Sequence, residues 1–136
     1  MALTQDLEIK ISGDQAAFTE NFYIYQNDRG IDLNIKVSMP KLQMTKRNIS
    51  MLAELEGARC GAIILKPNGT IVGKNDIVIS DDLIKFTIDH ELTDDLDEVG
   101  IYKMQFHLYD NEDNRITIPP VSFEVKGLLG IIPNTR

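Results

Sequence analysis

Gly100-Ile101-Tyr102-Lys103-Met104-Gln105-Phe106-His107-Leu108-Tyr109 is the stretch that decides the fold. Tyr102, Met104, Phe106 and Leu108 fall on one side of an extended chain, and Lys103, Gln105 and His107 on the other. Successive side chains of a strand point to opposite faces, so this run reads as a strand with one apolar and one wet face. Ile31, Leu33, Ile35 and Val37 repeat the pattern, as do Val121, Phe123 and Val125. Shorter candidates lie at residues 7–11, 22–25, 60–65, 70–72, 76–79 and 83–88. Helical periodicity is scarce. One short helix competes with a strand between Asn48 and Gly57, where Ile49, Leu52, Ala53 and Leu55 recur. The expectation is an all-β chain, an Ig-like antiparallel β-sandwich of about seven to nine strands with at most one short helix.

Turn residues punctuate the runs. Pro67-Asn68-Gly69 separates Ile63-Ile64-Leu65 from Thr70-Ile71-Val72, and Asn68 and Gly69 suit the positive φ of a tight hairpin. Pro119-Pro120 lacks the ladder donors and marks an edge or a break. Glu98-Val99-Gly100-Ile101-Tyr102 has the form of a tyrosine corner, in which a phenol hydroxyl bonds backbone upstream. Gly100 and Tyr102 are therefore structural candidates. Met104 stands where antibody domains carry a disulfide cysteine.

A length of 136 residues with 43% hydrophobic content suits one domain with its own core. Residues 1–126 form the expected sandwich, and the apolar residues 127–136 a tail or the start of a linker. The net charge of −7 opposes contact with nucleic acid or anionic lipid, so neither nucleic acid nor membrane insertion is expected. Cys60 is the single cysteine and no intrachain disulfide can form. Together with an N-terminus lacking the blocks of a signal peptide, this points to folding in a cytoplasm.

The chemistry-bearing residues do not assemble into a reactive pattern. Residues 89–98 hold six carboxylates, but a calcium loop starting at Asp94 would place Gln105 at its twelfth position, and one starting at Asp110 would place Val121 there. A solvated acidic loop is the expectation. Gly69-Thr70-Ile71-Val72-Gly73-Lys74 is one residue short of a phosphate loop and sits in a hairpin. His90 and His107 lack a cysteine cluster, His107 falls on a wet face, and Cys60 opens an apolar strand as a small hydrophobe. No serine lies in a nucleophile elbow. The expectation is a protein that is not an enzyme, with no catalytic, cofactor-binding or metal residues.

Three stretches carry a family resemblance. Tyr25-Gln26-Asn27-Asp28-Arg29-Gly30-Ile31-Asp32 resembles the opening of the N-terminal domain of phage baseplate upper proteins. Gly57-Ala58 followed by Ile63-Ile64-Leu65-Lys66-Pro67-Asn68-Gly69-Thr70 resembles that family's hairpin. Gly100-Ile101-Tyr102 through Leu108-Tyr109-Asp110, then Val121-Ser122-Phe123-Glu124-Val125, resembles its closing strands. The resemblance spans residues 21–126. It implies a structural component of a phage tail baseplate, located in the virion and assembled in the bacterial host cytoplasm. Such a domain docks on other baseplate or tail proteins, attaches receptor-binding parts to the tail tip and forms a homo-oligomer in the assembly. No cofactor is implied. Residues 38–49 and 127–132 are the expected contacts. The alternative is a carbohydrate-binding β-sandwich module of an adhesin or extracellular enzyme, for which Tyr23, Tyr25 and Tyr109 would have to share an exposed face.

Overall fold

The computed structural model describes residues 3–38, 58–109 and 115–129. Its strands are β1 (Leu3–Ser12), β2 (Gln15–Phe18), β3 (Tyr23–Tyr25), β4 (Ile31–Ser38), β5 (Arg59–Leu65), β6 (Ile71–Ser80) and β7 (Leu83–Ile88). A short helix α1 (His90–Asp95) precedes β8 (Gly100–Tyr109), β9 (Arg115–Thr117) and β10 (Val121–Lys126). The protein is all-β, with one short helix among the described residues. The helix or strand expected over 48–57, the contact loop at 38–49 and residues 130–132 of the tail lie outside the described residues, Ser38 excepted.

The strands follow the order β2-β1-β4-β7-β6-β5-β8-β10-β3, with β9 beside β8. This sheet curls into two layers. The first holds β2, β1, β4 and β7; the second holds β5, β8, β9, β10 and β3. Strand β6 belongs to both, pairing β5 from Ile71 to Ile77 and β7 from Val78 to Ser80. It turns the corner at a bulge, where Asn75 and Asp76 together stand opposite Gly61. A Cβ on Gly61 would come within 3.3 Å of Asn75 Oδ1, so glycine lets the bulged strand lie close.

Alternation puts the predicted apolar set inside. Ile9, Ile11, Leu33, Ile35, Ile84 and Ile88 from the first layer are buried against Ile64, Tyr102, Met104, Phe106 and Val125 from the second. Phe86 meets Phe106 edge-on across the layers at 6.1 Å, and Tyr102 stacks on Phe123 at 5.3 Å. Each such side chain contributes about 1.5–3 kcal/mol on leaving water.

The arrangement differs from the expected sandwich in strand number and in pairing. Ten strands lie among the described residues because β9 and β10 are two pieces along one side of β8, divided at Pro119-Pro120. Ile118 still donates to Phe106 O at 3.0 Å, but the prolines offer no donor. The short β2 folds back on β1 through Gly13-Asp14, with Gly13 at φ +62. Two pairings, β1 with β4 and β10 with β3, are parallel. After β1 the chain passes through β2 to β3 in the second layer before returning as β4. That excursion supplies the crossover a parallel neighbour needs.

The segment 89–98, expected as a solvated loop, contains α1. Asp89 caps it, accepting from Leu92 N at 2.9 Å, while Leu92 and Leu96 are buried. Thr93 Oγ1 donates to Asp28 O at 2.7 Å. The helix thus closes one end of the core.

Candidate functional site

The structure brings the four candidate structural residues into one corner. Tyr102 is fully buried, and its Oη donates to Glu98 O at 2.8 Å and accepts from Glu98 N at 3.0 Å. Burial raises the Tyr102 pKa, which keeps the phenol protonated. Gly100 sits at φ +143, where a Cβ would lie 3.0 Å from Pro67 Cγ of the β5–β6 connection. That connection is not a two-residue hairpin. Gly69 N donates to Lys66 O at 2.9 Å, Gly69 alone takes a positive φ of 90°, and Asn68 Oδ1 accepts from Thr70 N at 2.8 Å. The two-residue hairpin turns are Gly13-Asp14 and Asp81-Asp82, the latter with both residues at positive φ. Lys66 Nζ reaches Asp97 Oδ1 at 2.7 Å, so their hydrogen bond raises the lysine pKa and lowers that of the aspartate.

The other candidates stay apart. Cys60 points into the core, and burial pushes its thiol pKa up to about 12, which leaves it protonated. His107 is on the opposite face of the sheet, half-buried rather than exposed, because β9 lies alongside and Gly61 opposite. Its Nδ1 is 2.9 Å from Thr117 Oγ1, and its Nε2 is buried without a partner. Burial lowers its pKa, with the nearby Arg115 adding to the effect. The unfolded chain then binds the extra proton first, so stability is expected to fall as pH drops below about 6.5 and to level off below the folded pKa. Melting temperature against pH checks this, and His107→Gln should flatten the slope between pH values of about 7 and about 5. Asp89 accepts from Lys74 Nζ at 2.8 Å, which lowers its pKa, so its stabilising contribution holds at neutral pH and is lost only in more acidic solution. Among the described residues no three His, Cys, Asp or Glu side chains group as metal ligands.

The two outer faces differ in chemistry. The first layer presents Asp6, Glu8, Lys10, Asp32, Asn34, Lys36, Lys85 and Thr87. They bond one another: Asn34 Nδ2 donates to Asp6 Oδ1 at 3.1 Å, Ser38 Oγ to Glu8 Oε2 at 2.7 Å and Thr87 Oγ1 to Asp32 Oδ1 at 2.7 Å. On the second layer Ile71 and Leu65 stand side by side with Lys103, and Ile63 lies next to them. Farther across, Ile101, Glu124 and Tyr23 form a row, with Tyr25 beyond. Ile71 is 64% exposed and Ile101 56%. An antiparallel face that meets water should be polar, as the first layer is apart from Val78, 59% exposed beside Lys85. The exposed apolar side chains of the second layer depart from that pattern.

Sequence reading missed this surface and favoured residues 38–49 and 127–132. The available signal was Ile63-Ile64-Leu65, apolar at both parities of one strand. The three tyrosines do not share a platform. Tyr23 and Tyr25 meet at 5.9 Å, whereas Tyr109 lies eight residues along β8 from Ile101, about 26 Å away.

No family model and no curated protein matches the chain. Among solved structures it is similar to the N-terminal domain of phage TP901-1 ORF48, with a TM-score of 0.52 and 10% identity, covering 92% of this chain and 98% of that one. The sequence resemblance to the N-terminal domain of phage baseplate upper proteins and this structural likeness meet in one result: the chain has the fold of a phage protein's N-terminal domain.

Proposed function

We propose that the chain is a structural component of a phage tail baseplate, a protein–protein docking domain that attaches receptor-binding parts to the tail tip. On this reading it acts in the virion after assembly in the host cytoplasm, and its role is architectural and non-catalytic. The apolar outer face of the second layer carries the proposal, and the fold shared with a phage domain supports it. Protein interfaces concentrate their affinity in a few apolar anchors at the centre of a patch, and Ile63, Leu65 and Ile71 are placed for that.

Ile63→Asp combined with Leu65→Asp should weaken docking on tail proteins encoded beside this chain by roughly 100-fold or more. Ile63 is 40% exposed and Leu65 38%, on the outer side of the sheet and away from the core, so melting temperature should fall far less than for a core substitution. Size-exclusion chromatography with light scattering reads the complex, and undiminished complex formation overturns the docking surface. The carbohydrate-binding alternative fares worse. Lys126 Nζ lies 4.1 Å from the Tyr23 ring centroid, over the face on which a sugar would stack.

A further inference from the structure

The docking surface also carries a charge of its own. Among the described residues, its outward positions on β8, β9 and β10 hold the cations Lys103, Arg115 and Lys126 against one carboxylate, Glu124. The whole chain has a net charge of −7, so the described outward positions of this face carry the opposite sign. The outer face of the first layer, with Asp6, Glu8 and Asp32 against Lys10, Lys36 and Lys85, is balanced. The inversion is therefore specific to the apolar side.

Lys103 lies in the middle of this face. It is exposed, has no ion-pair or hydrogen-bond partner among the described residues, and stands between Leu65 on β5 and Ser122 on β10. A lysine placed beside apolar anchors and left unpaired keeps wrong partners away and attracts a carboxylate into the same patch. Resting on the docking reading above, we infer that the partner of this face is a protein whose surface is acidic around an apolar centre, and that it is not a second copy of this chain. A two-fold contact would set this cationic face against itself and bring like charges together as water leaves.

The test immobilises the full chain and presents each tail protein encoded beside it, one at a time, at low and at high salt. Binding should be confined to an acidic protein, and its association rate should fall with salt. Lys103→Glu and Lys126→Glu should each slow association roughly tenfold, while Lys85→Glu on the opposite face leaves it unchanged. Charge reversals that leave the rate unchanged or raise it, in a complex that Ile63→Asp still abolishes, overturn the acidic partner and leave docking intact. Self-association of the chain alone, reduced by Ile63→Asp, identifies a second copy as the occupant and likewise overturns the inference. Binding by none of the tail proteins overturns the docking reading together with it.

Discussion

Phe106→Ala should destabilise the domain by about 3–5 kcal/mol, the largest single-residue effect expected in the core. The ring is 1% exposed and belongs to the central strand of the second layer. Its edge-on contact with Phe86 at 6.1 Å is made across the layers, so truncation opens a cavity between two sheets that share one interior. The neighbours are held by ladders on β5 and β7, which limits their collapse into the space. Domains of this size are stable by roughly 5–15 kcal/mol, so the variant should remain folded at room temperature but melt roughly 10–20 °C lower. Calorimetry measures it, and a drop of less than a few degrees would mean that the layers are not closed on each other at this point.

Tyr102→Phe tests the corner without changing ring packing. The stacked contact with Phe123 at 5.3 Å survives, while Glu98 loses both the acceptor for its N–H and the donor to its carbonyl. Removing one partner from a buried pair costs more than the hydrogen bond itself, because the group left behind has been taken out of water. The expected loss is about 1–3 kcal/mol, read as a lower urea midpoint with an unchanged slope. An unshifted midpoint would mean that water replaces the phenol and that the corner is not held by it.

Residues 31–37, 101–109 and 121–125 are legible because each strand has one buried and one solvated face, and period two follows from that asymmetry. Pairing direction is not legible, since parallel and antiparallel strands alternate alike, and β1 beside β4 depends on an excursion no local pattern encodes. Gln15-Ala16-Ala17-Phe18 has too little hydrophobic contrast to announce β2; its pairing with β1 decides it. Asp89-His90-Glu91-Leu92 reads as solvated because carboxylates dominate, yet Leu92 and Leu96 are spaced to reach the core once Asp89 caps a turn. The surface was hidden for the opposite reason. Ile63 and Leu65 flank the buried Ile64, so the run looks covered on both sides, and only the layer arrangement reveals that no described element lies over its outer side.

Because β6 is hydrogen-bonded to β5 from Ile71 to Ile77 and to β7 from Val78 to Ser80, the two sides of the molecule are joined by continuous backbone. A pull applied to the apolar side passes along a single covalent strand into the polar side, without crossing a slack loop. To pry the layers apart, such a force must break both ladders as well as expose the oily interior, so the domain resists tension as one mechanical body.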